Sequence, residues 1–324
     1  SNALLPASAL GQWLDPAPAP QLDGLSVLHT ADQQEEAAAI ALILRQAIER
    51  PGRPAALVTP DRALAGRVAT ELARWGVVAD DSAGEGLATT PQATFLRLIV
   101  QAVEGGLSPV ALLSMLKHPL AACGLAPGNC RASARLLERA VLRGPAPPPG
   151  IAGLRAALSR ATLDEHGALA DAPDAPQELS AFLDRLERAL DPLLSCASGT
   201  AEVVDLLSAL VEVAQALAAT DTDDGASRLW SGEEGNALGA HLAELLTWCD
   251  VLPAQRIGAL DGLLASSLAG VTVHGRRALR GREQVAVHPR VFIWGLLEAR
   301  LQTAGTIVLG GLVETVWPPA TDPG

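Results

Sequence analysis

Apolar positions fall into three successive regimes along the chain. In the first, short apolar runs alternate with amphipathic stretches. L-S-V-L-H at 25–29 predicts a short strand. Ala37, Ile40, Ala41, Leu44 and Ile48 then recur at helical spacing, behind Thr30 and Gln33 as a capping box. P-A-A-L-V-T at 54–59 is a near-continuous apolar run, the pattern of a strand covered on both faces. Leu64, Val68 and Leu72 predict another helix, and W-G-V-V at 75–78 a third strand. Strand–helix–strand–helix–strand is the order of a parallel α/β sheet.

From about residue 91 the period becomes helical throughout. Leu179, Phe182, Leu183, Leu186 and Leu190 form one stripe, introduced by Asp174 and Pro176 as start signals. Val203, Leu206, Leu207, Leu210, Ala214 and Leu217 form another, and further helices are predicted over about 108–118, 130–143, 236–250 and 253–268. G-P-A-P-P-P-G at 144–150 and the acidic stretch 220–227 read as loops.

Strand character returns in V-T-V at 271–273, R-V-F-I-W at 290–294 and T-I-V-L-G at 306–310. Because connections in sheets are short and ordered, one sheet interrupted by a helical insertion explains this better than three unrelated modules. The expected organisation is a linker and tag remnant at 1–21, the first part of an α/β domain at 22–95, a helical insertion at 96–270 and the second part of the α/β domain at 271–324. Ser1-Asn2-Ala3 resembles a scar of tag removal, and 14–21 a stiff Pro/Ala connector.

Composition narrows the function classes. Nearly half the residues are apolar, which argues against wholesale disorder, and the formal charge of -12 argues against a generally basic surface coating nucleic acid. A local basic track remains compatible with it, since binding depends on where charges sit. The four cysteines form no C-x-x-C pair and have no histidine at ligand spacing, so they read as reduced cytoplasmic thiols rather than zinc ligands. No run approaches the ~20 apolar residues that span a bilayer.

Three stretches together resemble the AddB family, the B subunits of the AddAB helicase–nucleases that resect double-strand breaks. They are A-L-V-T-P-D-R-A-L-A at 56–65 with D-D-S-A-G and T-P-Q-A-T-F-L-R-L at 80–84 and 90–98; L-L-S-M-L-K-H-P-L-A at 112–121; and the long stretch at 288–318 ending G-G-L-V-E-T-V-W-P. The resemblance implies the RecA-like second core domain of a UvrD-type helicase, split by a helical insertion. It also implies DNA and an AddA-like subunit as partners, with ATP, magnesium and an iron–sulfur cluster belonging to the full-length complex. No Walker A sequence and no ligand-cysteine cluster occur in this chain.

Departures from the family pattern are equally informative. Thr59 stands nearest the place where active helicases of this type carry a phosphate-binding arginine, and Phe292 and Gly295 occupy the positions of a histidine and a lysine–glycine pair. Glu298 alone is retained. Loss of those cations predicts a fragment without a complete ATPase or nuclease site. Val313 and Thr315 further alter the terminal motif.

Candidate nucleotide or DNA contacts are therefore Glu298, Arg300, Glu314 and Trp317. Their plainer readings are an ion pair at a strand end for the first two, a surface carboxylate, and a core or interface tryptophan. Arg131, Arg135, Arg139 and Arg143 recur every fourth residue and would line one helix face against phosphates, unless they are simply a solvated face near Glu138. Arg276, Arg277, Arg280 and Arg282 form a second basic cluster. His118, in K-H-P, lacks a partner spaced for catalysis, and Asp221, Asp223 and Asp224 fail the calcium-loop spacing. The rival function is a helical interaction module that docks a partner subunit without touching DNA; a freestanding small-molecule enzyme lacks a cofactor fingerprint.

Overall fold

A computed structural model describes residues 23–82, 84–162, 169, 174–273, 287–314 and 316–317. Helix α1, Gln33–Ile48, starts at Asp32, whose carboxylate accepts from the amides of Gln34 and Glu35. That aspartate, rather than the expected Thr30–Gln33 box, caps the helix, because its oxygen reaches two of the orphan amides of the first turn. Strand β1, Ala55–Val58, is buried along its whole length. Helix α2, Arg62–Arg74, is capped in the same way by Asp61.

A four-stranded parallel sheet follows from β1, β2 (Asp80–Asp81), β5 (Val291–Trp294) and β6 (Thr306–Leu309), in the spatial order β2-β5-β1-β6. The central strand therefore pairs on both sides with strands that come more than two hundred residues later: Leu57 faces Ile293 on one side and Val308 on the other. Side chains alternate across β1 as the pleat requires. Ala55 and Leu57 pack with α1 and α2, while Ala56 and Val58 face the opposite side with Trp294.

Between the two halves of the sheet lie α3 (Pro91–Glu104), α4 (Pro109–Leu116), α5 (Pro127–Leu137), α6 (Gly150–Thr162), α7 (Ala175–Cys196), α8 (Val203–Ala218), α9 (Gly225–Leu229), α10 (Gly232–Trp248) and α11 (Ala259–Ser267). The predicted stripes of α7 and α8 are buried, and they belong to a core of their own, separate from the sheet core. The chain enters and leaves this region through an antiparallel ribbon, β3 (Glu85–Gly86) against β4 (Thr272–Val273).

Two predicted strands are absent from their places. Residues 25–30 lie before α1 without strand pairing, with Leu25, Val27 and Leu28 exposed. A local apolar pattern cannot supply the neighbouring strand that a ladder needs. At 75–78, α2 ends at Gly76 in the left-handed region (φ +72°), the Val77 amide returns to the Leu72 carbonyl, and pairing begins only at Asp80. The 271–273 run makes the ribbon rather than a strand of the main sheet. The acidic stretch 221–224 is built into the fold: Asp224 caps α9 through the Ser227 amide, and Asp223 bonds to Thr220.

Candidate nucleic-acid interface

Parallel sheets offer ligands the loops at the carboxyl ends of their strands. At this edge the β1–α2 turn begins with Thr59, fully buried, whose hydroxyl accepts from the Asp61 amide and whose own amide bonds to the Trp294 carbonyl. Across β1, Gly311 leaves β6 with φ +75° and donates its amide to Glu36 Oε1 at 2.7 Å. A Cβ on Gly311 would approach Thr59 Oγ to 3.2 Å, so the close passage of these turns suits glycine. Glu36 had no signal in the sequence, because its role depends on a contact 275 residues away.

Glu298 opens a short 3-10 turn, Glu298–Leu301, after β5 and is exposed; its carboxylate folds back over Gly295. Arg300 is exposed in the same turn, and among the described residues no ion pair joins it to Glu298. Glu314 is exposed beyond β6. Trp317 is partly buried and packs onto the small cluster of Ala56, Val58 and Trp294, the packing expected of an interface or core ring. Glu298, Glu314 and Trp317 thus belong to one end of the sheet, yet no hydrogen bond among the described residues links them.

This edge is poorly built for a triphosphate. Anions bind helix N-termini through free amides, but the amides at the starts of α1 and α2 are already taken by Asp32 and Asp61. Arg62, the nearest cation of α2, is held by Asp81. Glu36, Glu298 and Glu314 add negative charge. The residues present do not fit ATP with its magnesium. Nor do they fit an iron–sulfur cluster: among the described residues no three His, Cys, Asp or Glu side chains come together as ligands.

A different chemistry sits on the helical region. Arg131 and Arg135 lie on α5, and all four arginines of the stripe are exposed. The helix does not continue regularly, for Glu138–Leu142 is a π turn. Four residues overshoot a turn of α-helix by about 40°, whereas bonding to the fifth residue widens the turn so that four residues fall short of it. The π turn therefore counteracts the drift of a four-residue repeat and keeps Arg143 near the line of the others.

Glu138 is the carboxylate within this face. Its oxygens meet Lys117 Nζ at 2.7 Å and Arg143 at 3.3 Å, and these hydrogen bonds hold the carboxyl below its ordinary range. Among the described residues no carboxylate pairs with Arg131, Arg135 or Arg139. Glu138 thus engages Arg143, while Arg131, Arg135 and Arg139 are exposed without an ion-pair partner among the described residues, an arrangement shared by a solvated face and a phosphate-binding one. Lys117, the only lysine in the chain, was separated from this stripe in sequence and is brought to it by the K-H-P turn.

His118 explains how that turn is held. Its ring stacks on Phe95 at 4.9 Å, its Nδ1 accepts from the Leu120 amide, and burial lowers its pKa to about 4. It is a neutral structural ring at pH 7. Arg228 fastens the same turn by donating to the carbonyls of Pro119, Leu120 and Ala218. Arg276, Arg277, Arg280 and Arg282 lie outside the described residues.

An open depression of about 500 Å³ lies on the other face of the sheet, between Pro54, Asp80, Phe292, Trp294 and Gln302. Arg290 on its rim is committed to the carbonyls of Ile48 and Arg50. No helix among the described residues is long and apolar enough to cross a membrane. No protein-family model matches the chain, and no curated protein is significantly similar to it.

Proposed function

We propose that the chain is an internal piece of an AddB-like subunit, acting in DNA handling and scaffolding within a cytoplasmic helicase–nuclease that processes double-strand breaks. In this reading the sheet is the RecA-like second core domain, the helices are its insertion, an AddA-like subunit is the partner, and the intact complex hydrolyses ATP and cuts DNA. The observation that carries DNA handling is the exposed face of Arg131, Arg135 and Arg139, unpaired among the described residues in a chain of net charge -12. Phosphates are the ligand such spaced, unpaired guanidinium groups suit, and backbone contact of this kind is independent of base sequence. The carboxylate-filled carboxyl edge supports a piece that does not hydrolyse ATP alone.

The test combines binding and turnover on the same preparation. A labelled single-stranded oligonucleotide should bind the chain and lose affinity in the Arg131→Ala/Arg135→Ala/Arg139→Ala variant, with no DNA-stimulated ATP hydrolysis in either protein. Turnover would overturn the non-hydrolysing part of the reading, and equal affinity would overturn the arginine face.

A second reading, a module that docks a partner subunit without DNA, draws on a specific feature. Ile307 and Leu309 on β6 are about half exposed, and Leu312 and Val313 continue the apolar surface beyond the strand. Parallel sheets are ordinarily covered on both faces. Under this reading the triple arginine variant leaves both DNA and partner binding unchanged.

A further inference from the structure

Cys123 and Cys130, which the sequence leaves as scattered thiols, come together in the helical region. Their sulfurs are 3.9 Å apart, and their residues are 4% and 0% exposed. The approach is fixed from both sides. The amides of Ala122 and Cys123 both bond to the Leu217 carbonyl at 2.9 Å, and the Gly124 amide bonds to the Ala219 carbonyl at 2.7 Å. Cys123 itself has φ +53°, a left-handed conformation uncommon for a residue with a Cβ. Cys130 lies in the first turn of α5, where its amide closes on the Ala126 carbonyl.

From this juxtaposition we propose that Cys123 and Cys130 form a peroxide-sensitive dithiol that closes reversibly to a disulfide. Sulfur atoms in van der Waals contact need only side-chain rotation and a small backbone adjustment to reach the ~2.05 Å of an S–S bond. The two thiols are also unequal. The hydrogen bond between the two sulfurs, together with Arg131 and Arg228, favours the Cys130 thiolate against its burial, whereas that same bond and burial push the Cys123 thiol up.

The chemistry balances with a peroxide as oxidant. Because Cys130 is fully buried, local opening of the segment must first admit the peroxide. The Cys130 thiolate then attacks one peroxide oxygen, the O–O bond breaks, and the released hydroxide takes a proton to become water, leaving a sulfenic acid. The Cys123 sulfur then gives up its proton and attacks Cys130 Sγ. The S–S bond forms, the S–O bond breaks, and a second water leaves. Two thiols lose two electrons to the peroxide in all. The closed ring would pin the segment 123–130 to the start of α5, immediately before Arg131.

Both cysteines lie within 118–131, a segment that trypsin releases between Lys117 and Arg131, so the test reads a single peptide. The folded chain is exposed to hydrogen peroxide, quenched, unfolded, alkylated and digested. The expected result is that this peptide loses two hydrogens, resists alkylation and regains both alkylation sites after dithiothreitol. In Cys123→Ser, shown to be folded by circular dichroism, dimedone should trap Cys130 as its sulfenic acid. A peptide still fully alkylated, or carrying only added oxygen, at a peroxide exposure that oxidises the half-buried Cys196 would overturn the proposal.

Discussion

Arg97 and Asp261 lie 164 residues apart and meet through a 2.6 Å hydrogen bond, reinforced by Gln101 on the same carboxylate. One stands on α3, the first long helix of the inserted region, and the other on α11, its last helix. With the β3–β4 ribbon, this pair ties together the two ends of the insertion where it leaves the sheet. A partly exposed pair contributes little by itself, so its value lies in fixing how those ends sit.

Asp261→Asn should lower stability by about 1 kcal/mol near pH 7. Arg97 holds the Asp261 carboxyl below its ordinary range. A depressed folded pKa contributes stability above the unfolded value, near 3.9, which is lost as pH falls through the folded value. Denaturant midpoints of the two proteins should accordingly differ at neutral pH and converge in acid.

His118 titrates in the same direction but in a higher pH window. Burial lowers its pKa to about 4, against an ordinary value near 6.5, so the unfolded chain binds the proton more readily. Stability therefore falls as pH drops from about 6.5 towards 4. Replacing it by phenylalanine keeps an aromatic ring facing Phe95 and removes the titration. Unfolding midpoints measured across this range should decline less steeply in His118→Phe than in the parent chain.

Gly311 tests the carboxyl edge. Gly311→Ala forces a Cβ onto a φ of +75° and to 3.2 Å from Thr59 Oγ. A cost of about 1–3 kcal/mol is expected. Glu36→Ala should cost less, about 1 kcal/mol, through the lost bond to the Gly311 amide. Chemical denaturation of the single and double variants would reveal whether the effects are coupled, as a shared contact requires.

Much of the fold is legible in the sequence where burial repeats with a regular period. The stripes of α7 and α8, the apolar run of β1 and the return of strands at 291–294 and 306–309 are such features. Elements decided by partners are not. The 25–29 run has apolar character without a ladder, the third strand is shifted to Asp80, and the cap of α1 depends on which oxygen reaches two amides. The arginine repeat was visible as spacing, but its π turn, the arrival of Lys117 and the Cys123–Cys130 approach arise from long-range packing. Glu36 had no pattern to mark it.

Glu138 is the negative charge among five cations: Lys117, Arg131, Arg135, Arg139 and Arg143. Glu138→Gln removes that charge and releases Lys117 and Arg143. Affinity for single-stranded DNA at low salt should rise by roughly twofold to fivefold. A fall in fluorescence-anisotropy affinity would place the shape of the turn, rather than its charge, in control.

The salt dependence of DNA binding bears most directly on the arginine face. Each phosphate neutralised on a single strand contributes about -0.7 to the slope of log affinity against log salt. The chain and its Arg131→Ala/Arg135→Ala/Arg139→Ala variant should therefore differ in slope by about two, with the variant weaker at every salt concentration and equally stable to denaturant. Parallel lines of equal affinity would contradict DNA handling by this face.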